Sequence, residues 1–272
     1  MSLEVKELSA EHDAALRNLL SVEALRNLRL LDAWEEASME PSRHYGLFSG
    51  QRLLAAALVE PSSGRVLPSA CAPDHARALG TSLAGTVVLR LSLGDRVAVE
   101  ALLGSLCSSK PRQLVAHRLF TASPDHLGPF LTRALRLANE DDGPRLVQMN
   151  AAELAESFDG PPAERAEVLE ARVLHRIRRR RTWVLELEGS LATKVDLGAQ
   201  TRLGAELEGI YTLPEHRFLG CATLALGQLS RNLLSSTPRL TLRIADSADG
   251  LLAVARKVGY VAGSVQQLLV IA

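Results

Sequence analysis

The sequence predicts an α/β protein with a mixed sheet, built as two tandem copies of one unit, the first of them degenerate. Three observations predict it. Runs with apolar residues at helical spacing alternate along the chain with short strand-like runs, as in helices packed on a sheet. A strand, glycine turn and strand occur around Ser49-Gly50 and again around Glu188-Gly189, about half the chain further on, which marks an internal repeat. At 272 residues and 29.3 kDa the chain is long enough for two small domains, each with its own core.

The elements follow in order. From His12 to about Glu36 the leucines at 16, 19, 20, 25, 28 and 31 keep helical spacing and predict one or two helices. His44 to Phe48 and Arg52 to Val59 flank the Ser49-Gly50 turn as a hairpin. A strand near Arg65 to Pro68, a helix from about Asp74, a strand at Thr86 to Leu91, a helix from Asp95 to Cys107 and a strand at Gln113 to Phe120 complete the first copy. Pro124, Pro129 and Asn139-Glu-Asp-Asp-Gly-Pro144 mark a connection, with a helix expected around Phe130 to Leu137. The predicted division is an amino-terminal unit over 1–125, a linker over 126–144 and a carboxy-terminal unit over 145–272. In the second unit a helix from Ala163 to Arg179 precedes strands at Thr182 to Leu187 and Ser190 to Val195.

The richest stretch runs from Glu206 to Tyr260. A strand pattern over Ala205 to Tyr211 leads through Thr-Leu-Pro-Glu-His into Arg217-Phe-Leu-Gly-Cys-Ala222 and then a long apolar-periodic helix. An Arg-x-x-Gly-x-Ala turn at a helix start leaves backbone N–H groups unpaired at the positive end of the helix dipole, where a pyrophosphate can be held. Gly220 removes a Cβ where ligand and backbone must approach. A strand from Arg239 to Ala245, a helix from about Ala248 to Val258 and Gly259-Tyr260 before a final apolar strand follow. The first copy has no such turn, which is the sense in which it is degenerate.

In this order of elements, the stretch from Gly143 to Ala272 resembles the coenzyme-binding region of the GCN5-related N-acetyltransferase (GNAT) family. The whole chain resembles proteins that place a divergent amino-terminal domain before such a domain. The resemblance implies acetyl-CoA as co-substrate and direct transfer of its acetyl group to a primary amine. The pyrophosphate would lie on Arg217, Phe218, Leu219, Gly220, Cys221, Ala222 and Thr223, and the thioester along the strand edge at Ile210, Tyr211 and Thr212. Glu206, eleven residues before Arg217, stands where several family members carry the carboxylate that deprotonates the amine, with Glu208 on the same strand face as the alternative. Two solvent-facing strand carboxylates are the plain reading of the same pair.

The sequence departs from the family at the proton donor. Where many members carry a tyrosine four residues before the closing glycine there is Ala255, and the usual asparagine before that helix is replaced within Asp246-Ser-Ala-Asp249. Tyr211, near the cradle, is the remaining candidate hydroxyl. The departure keeps open a second function, a non-catalytic acyl-CoA sensor or interaction module on the same fold.

Composition bounds the rest. The formal charge is zero, with the four lysines Lys6, Lys110, Lys194 and Lys257 among 31 basic residues, so no overall field steers the chain to nucleic acid. Arg176-Ile-Arg-Arg-Arg-Arg181 lacks interleaved aromatics and closes a predicted helix, which argues for a solvated helix end over a nucleic-acid site. Cys71, Cys107 and Cys221 are odd in number and widely spaced, as in a reducing cytoplasm, and the histidines show no metal-ligand spacing. Cys221 opens a helix, where a thiolate is favoured, yet it occupies the variable position of the turn. No apolar run reaches the ~20 residues of a membrane span. The expectation is a cytoplasmic monomer or homodimer whose amine acceptor is a small molecule or a peptide.

Overall fold

The structure is a computed structural model and describes residues 3–36, 41–106, 110–128, 135–157 and 166–271. Its strands are β1 (Leu3–Glu7), β2 (Arg43–Ser49), β3 (Arg52–Glu60), β4 (Arg65–Pro68), β5 (Leu91–Asp95), β6 (Gln113–Ala122), β7 (Leu135–Leu137), β8 (Thr182–Leu187), β9 (Ser190–Thr201), β10 (Gly204–Thr212), β11 (Leu240–Ala245) and β12 (Val261–Val270). The helices are α1 (Asp13–Val22), α2 (Ala24–Glu35), α3 (Pro73–Leu83), α4 (Arg96–Leu106), α5 (Gly143–Ser157), α6 (Ala166–Arg178), α7 (Cys221–Leu234) and α8 (Asp249–Val258).

All twelve strands form one sheet in the order β1-β2-β3-β4-β5-β12-β6-β11-β10-β9-β8-β7. That order is a palindrome: each of the first six strands stands opposite the strand six later in the chain. The two copies therefore exchange strands. β12, the last strand of the second copy, pairs antiparallel with β5 and β6 of the first, while β6 pairs antiparallel with β11 of the second. The apolar end of the chain thus closes the first copy's sheet, leaving β1 and β7 as the edges. β1 is short and carries Glu4, Lys6 and Glu7, charges that discourage pairing with another sheet.

Helices cover both faces. On one face α7 and α8 bury Ala205, Leu207, Leu242 and Phe120, and α3 and α4 bury Ala57, Val66 and Leu269. Phe120 and Leu114 lie six residues apart on β6, and Leu269 pairs with Leu114, so both clusters lie on the same side of the sheet. On the other face α1 and α2 bury Phe48, Leu53 and Leu58, while Leu146 and Met149 of α5 and Val173 and Ile177 of α6 pack on Val184 and Tyr211.

Several sequence expectations shift. The strand expected at 86–91 is β5, a few residues later, because pairing with β4 and β12 sets its register. Residues 135–137, expected at the end of a helix, are strand β7 on the edge of β8, and lie within the stretch read as linker; 129–134 fall outside the described residues, as does Cys107. Helix α5 was not expected. Leu146, Met149 and their neighbours keep helical spacing, but they follow an acidic, proline-bearing cluster that reads as loop.

Candidate active site

Helix α7 begins with Gly220 in the left-handed region (φ 82°) as its N-cap and no capping side chain. The first helical bond at this end is the Leu224 N–H to the Gly220 carbonyl, 3.0 Å, so the preceding amides carry no helical partner. Space around Gly220 is open where a Cβ would stand, and the turn itself is exposed. Leu219 is 61% exposed and Phe218 is fully exposed with φ 64°, an unusual backbone for an aromatic residue. This end can therefore receive a diphosphate: it offers free N–H groups, dipole and room. The corresponding helix of the first copy cannot do so in the same way. α3 has Pro73, which lacks an N–H, in its first turn together with Asp74, whose carboxylate opposes an anion.

Strand β10 leads into that turn. It pairs with the parallel strand β11 only from Ala205 to Leu207, although both strands run on, so the two diverge into an opening. On its other side β10 stays paired with β9 through Thr212, with a bulge between Glu208 and Tyr211. Beyond Leu207 the β11-facing edge of β10, including Ile210 to Thr212, has no strand partner and can hydrogen-bond an extended ligand as an added strand would. Lys194 on β9 fixes the bulge: its ammonium is fully buried and donates to the Gly209 carbonyl at 2.9 Å, with Asp196 and Glu153 each 2.8 Å away. Gly209 has φ 56°, and a Cβ there would stand 2.4 Å from an Asp196 carboxylate oxygen. A helix start thus faces two diverging strands, with a bulge on β10 beside the divergence.

No family model matches the chain and no curated protein matches it. Solved structures do match over nearly its whole length. A GCN5-related N-acetyltransferase from Sphaerobacter thermophilus is 14% identical, covers 98% of this chain and 94% of its own, and has a TM-score of 0.64. A tandem GNAT protein from the clavulanic acid biosynthesis pathway is 14% identical with 98% of each chain covered and a TM-score of 0.60. The fold is a tandem GNAT fold. A GNAT-family acetyltransferase from Colwellia psychrerythraea is likewise 14% identical over 98% of this chain and 99% of its own, with a TM-score of 0.58. At such identities the likeness establishes the fold, and residue roles in this GNAT fold rest on its own geometry.

That geometry places the two predicted bases in an ion-pair network. Glu206 is fully buried, with one oxygen 2.6 Å from Arg29 Nε and the other held by Arg243. Glu208 lies between Arg29 and Arg176. Burial would raise the Glu208 pKa, but the two guanidinium groups outweigh it and hold the carboxyl far below its usual range. Burial likewise works against the charge of Arg29, and Glu206 with Glu208 reverses that effect and raises its pKa. Glu206 and Glu208 are therefore not the solvent-facing pair of the plain reading: both accept from Arg29 and so dock α2 onto β10. Arg29 and Arg243 were not legible as their partners, because one lies 177 residues away in the chain and the other on a neighbouring strand.

The other predicted residues are also engaged. Tyr211 is buried and its hydroxyl donates to Glu156 on α5 at 2.9 Å. Arg217 binds both oxygens of Glu156 at 2.8 and 3.0 Å, donates to the Thr212 carbonyl at 3.0 Å and stacks over the Tyr211 ring. Its charge is thus paired with a carboxylate at the end of β10. Ala255 is fully buried, and Tyr260 is buried with its hydroxyl 2.8 Å from Ser230, so neither presents a proton donor to the cleft. Cys221 is a buried free thiol. Four arginines of the run are ion-paired within the molecule: Arg176 on Asp196 and Glu208, Arg178 on Glu140, Arg179 on Glu36, and Arg181 on Asp32 and Glu36. No group of metal-ligating side chains occurs among the described residues, and no helix there is long and apolar enough to cross a membrane.

Proposed function

We propose that the protein is an acyl-CoA-dependent N-acyltransferase whose carboxy-terminal unit binds acetyl-CoA and passes the acetyl group directly to a primary amine. The observation that carries this reading is the pairing of an uncapped, glycine-started helix α7 with the unpartnered β10 edge beside β11. The amides of Leu219, Gly220, Cys221, Ala222 and Thr223 hold the pyrophosphate, Phe218 and Arg217 flank it, and Ile210, Tyr211 and Thr212 align the pantetheine and polarise the thioester carbonyl through backbone N–H. The amino-terminal unit contributes α2 and its charges without a coenzyme of its own. Glu206 and Glu208 act in this reading by holding β10 in place.

The acceptor is a small-molecule or peptide amine, and the protein works in the cytoplasm as a monomer or homodimer. Titration calorimetry of the full chain with acetyl-CoA and with CoA tests the reading. Saturable binding that is lost in Gly220→Val, while the variant still melts cooperatively a few degrees lower, supports it. Absence of binding at millimolar ligand refutes it, and binding without turnover of any amine points to a sensor.

A further inference from the structure

The proposed transfer needs a group that takes a proton from the amine, and the ion-paired carboxylates of β10 leave that role unfilled. We propose that His117, carried on β6 by the amino-terminal half of the chain, is the general base of the carboxy-terminal site. This inference rests on the acyltransferase reading above.

Strand exchange puts His117 on the strand next to β11, one of the two strands that diverge. On β6 it is paired with Ala245, the last residue of β11, and with Gln266 of β12. Paired residues of antiparallel strands point to one face, so His117 shares its face with Ala245 and with Arg243, two residues back on β11. Arg243 in turn binds Glu206 across the β10–β11 junction. His117 therefore stands on the strand behind β11, the strand that borders the opening, on the face opposite helix α7. Its neighbour on β11 is Ala245, whose side chain is a single methyl.

The ring is set for the task. Nδ1 lies 3.0 Å from the carbonyl oxygen of Val115. A carbonyl only accepts, so Nδ1 carries the hydrogen and Nε2 keeps its lone pair. The ring is partly exposed, within reach of solvent. Burial is the main influence that lowers its pKa; the Val115 carbonyl opposes it, Arg243 and Arg29 add to the lowering, and Asp246 works the other way. Gln266 on β12 is neutral, and Arg26 of α2 is paired with Asp95 on β5. The imidazole is consequently neutral near pH 7, the form a base requires.

The step balances. Nε2 takes one proton from the ammonium form of the acceptor; the freed amine nitrogen bonds to the thioester carbon; the C–S bond breaks; the second nitrogen-bound proton goes to the departing thiolate, and the imidazolium returns its proton to water.

The test is nuclear magnetic resonance of the full chain labelled with ¹⁵N-histidine, the His117 signals being assigned by their loss in His117→Gln. The expected result is the Nδ1–H form at neutral pH and a Nε2 signal that moves as acetyl-CoA saturates the protein. A Nε2–H form, or a signal indifferent to bound acetyl-CoA, overturns the proposal. Failure of acetyl-CoA to bind is a different outcome and removes the acyltransferase reading itself. In His117→Gln the acetyl-CoA Kd should stay within about twofold, while thiol release in the presence of benzylamine falls about 100-fold or more and loses its decline on the acid side; a wild-type rate and pH profile in that variant would also overturn it.

Discussion

At Gly220 an unusual backbone conformation coincides with the proposed ligand site. The left-handed φ of 82° costs an L-residue about 1–2 kcal/mol, while the space a Cβ would enter is empty. Gly220→Val should therefore lower stability by roughly that amount and abolish coenzyme binding, read by a melt and by calorimetry on the same sample. Glu208 makes a pH prediction. Its folded pKa lies below the unfolded value of about 4.5, so its ion pairs contribute fully above that pH and are lost as the pH falls through and below it. Urea midpoints measured from pH 6 to pH 3 should fall more steeply for the wild type than for Glu208→Gln, which has no proton to take up. The motif at Gly220 was legible because its pattern is local; the state of Glu208 was not, because its partners come from α2 and α6.

Helix α2 shows how one element ties the two copies together. Its leucines Leu30 and Leu31 pack on the first copy, whereas Arg29 reaches β10 and Asp32 accepts from Arg181 and from the Gln200 amide on β9. Truncating Glu206 leaves Arg243 buried without its carboxylate and takes one of two from Arg29, so Glu206→Ala should cost about 3–5 kcal/mol, and a double-mutant cycle with Arg243→Ala should show strong coupling by denaturant unfolding. The sequence announced α2 through its leucine spacing, but that spacing says nothing of which sheet its polar face meets. Helix α5 makes a smaller case. Glu156→Gln removes the carboxylate that holds Arg217, and the freed guanidinium should tighten CoA binding severalfold at low salt, an effect that calorimetry should find diminished at high salt.

Strand exchange makes the whole sheet one cooperative object, since each copy lacks a strand that only the other supplies. The two tryptophans test this directly, Trp34 lying on α2 of the first copy and Trp183 on β8 of the second. Single-tryptophan variants should report coincident denaturation midpoints by fluorescence, and separated midpoints would show that the copies unfold independently. Deleting residues 261–272 removes a strand paired on both sides and should shift both probes together, although only the second copy loses chain.

The sequence by itself determined the repeat, most helices and strands, and the glycine-started helix turn at Arg217 to Thr223, because hydrophobic period, glycine turns and a helix-start motif are all written within a few residues of each other. It also placed an apolar strand at the carboxy terminus without determining its partner. Only the tertiary structure decided that β12 enters the first copy, that Arg29 and Arg243 occupy the β10 carboxylates, and that His117 pairs with the end of β11. Those are pairings between residues distant in the chain, fixed by strand register and buried charge, and local periodicity carries no information about them.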